Sequence, residues 1–324
     1  MLRKLVIFMT TAMLLCCTAC KGEPASPVAA EHSVTYITDT VKITDEHTIA
    51  AGEDIHVRSG GVLYIDADAI LRVEGSLNVA DGGELYVRGS AVVAESGTVS
   101  ISGKAKILSS GSIDLDGMLR VNQTGVVKGE GSVLVNGLFS DIQCSGTVTA
   151  RLQPPEPVKL DGVTYVGGVL LVNKDHSIPD SYGDGITPEA YSAYVRMKNA
   201  SGYGMSIISG YRSYEQQVET FEKWCELDGY DEARYYSAKP GHSEHQTGLA
   251  LDITSLEQSY GDTDEGRWLA ANCHKYGFII RYPEDKSEIM GYIYEPWHIR
   301  YLGESTAKLV HDSGLTLEEF LGVA

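Results

Sequence analysis

Gly61, Gly75, Gly89, Gly103, Gly117 and Gly131 stand fourteen residues apart, and Gly83, Gly97, Gly111 and Gly125 keep the same spacing. Ile65, Val79, Val93, Ile107, Val121 and Val135 each follow a glycine of the first series by four residues. Leu71 with Val73, Leu85 with Val87, Val99 with Ile101, and Ile113 with Leu115 alternate ahead of the next glycine. Alternation with period two predicts short strands, and the glycines between them are expected to supply the positive φ of tight corners. Corners stacked in register predict a parallel β-solenoid whose Val and Ile ladders form the interior, each fourteen-residue repeat holding two strands. No proline occurs from Ala50 to Leu152, as expected where every rung donates its backbone N–H to the next. About seven rungs at ~4.8 Å would make a rod roughly 30 Å long. Its expected role is a passive stalk, with self-association or wall binding as functional alternatives. A twisted antiparallel meander would also alternate, but it has no need of corners at constant spacing.

Composition restricts function. Asp and Glu number 44 against 26 Lys and Arg, a net charge of -18, so affinity for nucleic acid, which needs clustered cations, is not expected. Residues 1–20 read as a secretory signal: Arg3 and Lys4 precede an apolar run from Leu5 to Cys17, too short to span a bilayer comfortably. Cys17-Thr18-Ala19-Cys20 resembles a bacterial lipoprotein signal, which implies a lipidated Cys20 and a membrane-anchored, extracytoplasmic protein, with plain secretion as the alternative. Residues 21–47 read as a flexible linker, 48–152 as the solenoid, 153–157 as a Pro-rich linker (Gln153-Pro154-Pro155-Glu156-Pro157), and 158–324 as a second domain.

That second domain reads as α+β. Thr187-Pro188 opens a helix, Ser213 with Gln216 forms a capping box for a helix that Gly229 ends, and Thr263 to Tyr276 reads as a helix closed by Gly277. Met205 to Ile208 and Phe278 to Ile280 read as buried strands. Its chemistry lies in three segments: Ser209 to Gln217, Gly241 to Asp252, and Tyr294 to His298. Asp252 falls on the strand face opposite Leu251, and with His245 and His298 it makes the ligand set of a catalytic zinc that keeps a position for water. Glu295, three residues before His298, is placed to shuttle a proton, and Arg212 to hold a carboxylate or an oxyanion. Gln217 and Ser243 read as polar contacts to a peptide, and His242 as a further candidate contact. Taken singly, each histidine also reads as a hydrogen-bonded structural residue, Asp252 as a turn residue and Arg212 as a surface ion-pair partner.

Ser243, His245, Gly248 and Asp252 fill the pattern SxHxxGxxxD, and Glu295 with His298 fills ExxH. With Leu170 to Lys174, Ser209 to Ser213 and Phe278 to Pro283, these segments resemble the VanY-type D-alanyl-D-alanine carboxypeptidases of zinc peptidase family M15. The resemblance implies Zn2+ held by His245, Asp252 and His298, Glu295 as catalytic acid and base, and Arg212 in substrate stabilisation. It further implies a zinc metallopeptidase that removes the terminal D-Ala of peptidoglycan stem peptides. L,D-carboxypeptidase and L,D-endopeptidase activities of the same fold, or a non-enzymatic wall-binding scaffold, are the alternatives. Whether Cys225 and Cys273 pair is left open by the sequence.

Overall fold

A computed structural model of the protein describes residues 32–324. The signal-like segment, Cys20 and the first part of the expected spacer lie outside the described residues. The chain divides into two compact units, one ending at Ser132 and the other running from Val133 to Ala324.

The N-terminal region is a parallel β-solenoid with three sheets, each of six strands, whose last strands run past Ser132 to Gln153. Ser76 pairs with Asp54, Thr98 with Ser76, and Met118 with Thr98, so a residue meets its counterpart on the next turn 22 or 20 positions later. A turn therefore holds three strands, not the expected two, and there are about six turns rather than seven. The reason is visible in the glycines. From Gly75 onward they fall alternately eight and six residues apart, as in Gly75, Gly83, Gly89, Gly97 and Gly103. Two such steps give the fourteen-residue sequence period, whereas three close a turn. Each corner column consequently alternates a longer and a shorter corner.

The repeat glycines also serve a different purpose from the one expected. None of the ten has a positive φ. A Cβ at Gly97 would lie 2.0 Å from the carbonyl oxygen of Val73 on the preceding turn, and one at Gly117 2.0 Å from that of Ala94. The corners need glycine because successive backbones approach too closely for any side chain. Inside, Leu63, Leu85, Ala105 and Val127 form one ladder and Ile65, Val87 and Ile107 another, all essentially inaccessible to solvent. Each fully buried branched side chain contributes about 1.5–3 kcal/mol. Strands begin at Ser33, within the segment expected to be a spacer. Ile37, Ile43 and Ile49 already point inward there, but the corners at Asp39 and Asp45 lack glycine, so the glycine register does not mark them.

The second unit starts ahead of the Pro154–Pro157 segment, because Phe139 packs on Phe320 with ring centroids 4.9 Å apart and its N–H donates to Gly167 O. A three-stranded meander follows (Val158–Leu160, Val163–Val166, Val169–Leu171), and then the α+β part. Its four-stranded antiparallel sheet runs in the order Ile207–Ser209, Ala250–Ile253, Glu295–Tyr301, Phe278–Tyr282. The expected caps form. Thr187 Oγ1 accepts from Ala190 N–H at the start of helix Pro188–Ser201, Ser213 and Gln216 close a capping box on helix Tyr214–Asp228, and Thr263 caps helix Asp264–Asn272. Leu251, Ile253 and Ile299 of the sheet pack with Ala193, Met197 and Leu269 of the helices. Cys225 and Cys273 are free thiols. No helix among the described residues is long and apolar enough to cross a membrane.

Gly97→Ala is expected to destabilise the solenoid by about 1–3 kcal/mol through backbone overpacking, seen as a lower urea midpoint. Lys106→Ala, on an outward and exposed position of the same unit, should change stability by less than about 0.5 kcal/mol.

Candidate active site

Strand register assembles the site. On the central strands Asp252 lies directly opposite His298, and Ser209 lies opposite Asp252 on its other side. His245 comes from the one-turn 3-10 helix Glu244–Thr247, which ends at Gly248 with φ 69°. Gly248 is needed twice over, since a Cβ there would also sit 2.0 Å from Gly185 O. Arg212 follows the edge strand, and its N–H donates to His245 O, so the strand end and the histidine turn are stitched together.

His245 Nε2 is 3.2 Å from Asp252 Oδ2, and His298 Nδ1 is 3.1 Å from Asp252 Oδ1. One ligand atom from each of the three residues lies within 4.8 Å of the others, and all three side chains are buried. Asp252 Oδ1 has no hydrogen-bond partner among the described residues. Of the remaining nitrogens, His245 Nδ1 is hydrogen-bonded to Gly210 O at 2.7 Å, and His298 Nε2 faces the Glu244 Oε2 charge at 3.5 Å without a hydrogen bond. Two imidazoles turned inward by outer partners, plus one carboxylate oxygen left unpartnered, fit a divalent cation of the zinc type. Burial opposes charge on His298, yet the carboxylates of Asp252 and Glu244 outweigh it and lift the imidazole to about 9. Burial would raise Asp252, but His245 and His298 hold it well below the usual carboxylate range. The pocket's anionic side thus holds positive charge close even as a bare side-chain cluster.

Glu295 Oε2 stands 3.6 Å from His298 Nδ1, and burial pushes the carboxyl up to about 8, with His298 opposing the rise. A carboxyl that can carry a proton near neutrality therefore borders the ligand cluster. Arg212 also borders it. The guanidinium is braced by Nη1–H to Gln217 Oε1 and Nη2–H to Ser209 Oγ, both 2.7 Å. Arg212, Ser243, His245, Asp252, Glu295 and His298 line a cavity of about 420 Å³ together with Trp224, Tyr236 and Tyr292, a size suited to a short peptide segment.

The expected site residues therefore converge, with one exception. Gln217 does not face the cavity. It is fully buried, and its amide is consumed by Arg212 on one side and Ala238 O on the other, so it positions Arg212 instead of touching a peptide. Four buried charges escape the sequence analysis. Glu244 Oε1 accepts from Arg281 Nε at 2.7 Å and from Arg300 Nη1 at 2.8 Å, while Arg281 forks onto Glu318 at 2.9 and 2.6 Å. Their signal was an arginine in the otherwise apolar strand Phe278–Tyr282 and another in the buried strand Glu295–Tyr301.

Residues 184–304 match the family model described as VanY, D-alanyl-D-alanine carboxypeptidase. The chain is 39% identical over 194 residues to YodJ of Bacillus subtilis (strain 168), an alignment covering 50% of this chain and 71% of that one. It is 36% identical over 203 residues to a D-alanyl-D-alanine carboxypeptidase of Enterococcus faecalis (strain ATCC 700802 / V583), covering 55% of this chain and 76% of that one. Among solved structures, an L,D-carboxypeptidase, DacB from Streptococcus pneumoniae, is 35% identical, with a TM-score of 0.46, over 52% of this chain and 95% of that one.

Glu244→Gln leaves Arg281 and Arg300 short of one buried counter-charge and is expected to cost about 3–5 kcal/mol in denaturant unfolding at pH 7. The two arginines hold Glu244 below the usual carboxylate range although burial opposes them. Its stabilisation is accordingly present above that range and lost as pH falls through the depressed value. The deficit of the variant should narrow in acid.

Proposed function

We propose, since this chain belongs to the VanY family of D-alanyl-D-alanine carboxypeptidases, that its C-terminal unit is a zinc-dependent D,D-carboxypeptidase trimming the terminal D-Ala from peptidoglycan stem peptides. The observation that carries the proposal is the convergence of His245 Nε2, Asp252 and His298 Nδ1 at the wall of a cavity that also presents Glu295 and Arg212. Zn2+ held by those three residues would supply a Lewis acid and a water whose pKa is brought to about 7. Glu295 accepts a proton from the attacking water and returns it to the departing amine nitrogen, the task for which a buried carboxyl beside the site is suited. Arg212, its fork fixed by Gln217 and Ser209, offers its remaining N–H groups and its charge to the carboxylate or oxyanion of the peptide. Ser243 adds a polar contact at the cavity wall.

The names of the curated relatives favour the D,D bond as substrate. The signal-like residues 1–20 support action outside the cytoplasm, with Cys20 as membrane anchor, and the solenoid is proposed as a spacer.

With zinc supplied, the protein is expected to release D-Ala from a stem pentapeptide, and a chelator should abolish release until zinc is restored. Glu295→Ala should lower kcat by about 10²–10⁴ with little change in KM. Equal turnover by the two proteins would overturn the mechanism. Release from a tetrapeptide but not from a pentapeptide would replace the D,D assignment by an L,D one.

A further inference from the structure

Beside the main cavity lies a smaller one of about 100 Å³ that shares Ser237 and Tyr292 with it. Lys174, Arg234 and Lys239 line it, together with His242. The chain carries 44 acidic residues against 26 basic ones, yet among the described residues none of these three cations has a carboxylate within 4.0 Å. Asp175 acts on Lys174 and Asp231 on Arg234 only at longer range. Burial, and after it the charges of Arg234 and Lys239, push the Lys174 ammonium below its usual value. The small pocket thus gathers three cations without an ion-paired carboxylate, and their positive field is only partly offset by Asp175 and Asp231.

Lys174 is held in place, whereas Arg234 and Lys239 are exposed beside aromatic rings. The stem of Lys174 lies against Gly291, where a Cβ would come within 2.7 Å of its Cδ. Its ammonium donates to Arg234 O at 2.8 Å and stands 4.5 Å from the centre of the Tyr292 ring. Arg234 lies 5.2 Å from the Tyr235 ring and Lys239 5.4 Å from that of Tyr230. A bond from Ile293 N–H to Tyr235 O joins the segment bearing Arg234 to the one bearing Tyr292. Fixing the long Lys174 side chain before a ligand arrives removes part of the ordering penalty of binding. The volume equals that of roughly three waters at ~30 Å³ each, enough for a carboxylate but not for a whole residue or a sugar.

We infer that this pocket is a subsite for a free carboxylate carried by the peptide N-terminal to the bond that is cut. This rests on the carboxypeptidase function proposed above: the terminal residue occupies the cavity at Arg212, and what adjoins it must accept the preceding part of the same peptide. The substrate class is then acidic stem peptides in preference to their amidated counterparts.

Two stem-type peptides that differ only in a free carboxylate or a carboxamide ahead of the scissile bond test the subsite. Calorimetric titration into the full chain should show the acid form binding about tenfold more tightly, with the advantage shrinking as salt is raised. In the double variant Arg234→Gln/Lys239→Gln, both positions being exposed, the ratio of the two affinities should fall toward one. Equal affinities in the unaltered protein, or a preference that survives the double variant, would overturn the subsite. Because binding is read separately from turnover, a preference for the acid peptide without D-Ala release would count against the catalytic proposal and leave the subsite standing.

Discussion

Glu244 is a carboxylate with no access to water, and the site is built around it. Two arginines on adjacent strands neutralise one of its oxygens, and the other faces the outer nitrogen of His298. Buried ion pairs of this kind add little net stability compared with apolar packing, because desolvation consumes most of the Coulombic gain. Their effect here is orientational. With an anion behind Nε2, the imidazole of His298 is directed so that Nδ1 faces Asp252, and Gly210 O does the corresponding work for His245. Two unlike partners, a charged side chain and a backbone carbonyl, thus give both histidines one inward nitrogen apiece.

The same arrangement explains which parts of the site could be read from the sequence. His245, Asp252, Glu295 and His298 are separated by short intervals within two segments, and strand alternation already places Asp252 away from Leu251. Gln217 and Glu244 were not readable in this way. Gln217 lies on a helix whose exposed and buried faces are set by where Arg212 turns back, a tertiary matter. Glu244 sits between two residues of the motif, but its partners Arg281 and Arg300 are 37 and 56 positions away. Only the pairing of their strands makes three buried charges compatible. A sequence window sees an unexplained arginine in an apolar strand and no more.

The solenoid shows a related limit. The fourteen-residue spacing was correct as a sequence period and correctly implied parallel stacking, but it does not count strands per turn. Steps of eight and six residues repeat after two corners, whereas the backbone closes after three. The alternation of 22 and 20 residues between stacked partners follows directly. The glycines carried an equally ambiguous message. Corner glycine can signal a left-handed backbone or a contact too close for a Cβ, and only the distances to Val73 O and Ala94 O distinguish the two.

Charge gives the two halves of the site a common logic. A surface carrying a net -18 repels an anionic peptide at long range, but at physiological ionic strength that repulsion fades over about 8 Å. The cations without an ion-pair partner are Arg212 at the cavity and, next door, Lys174, Arg234 and Lys239, whereas Arg281 and Arg300 are already committed to Glu244 and Glu318. The buried Arg281 and Arg300 thus hold the carboxylate behind His298, while the partly exposed cations have no ion-pair partner. On the subsite inferred above, a peptide with carboxylates at two places would meet both in one region. On the proposed function, a peptide with a single terminal carboxylate would meet only the Arg212 end, so the arrangement would select by charge spacing as well as by the bond cut.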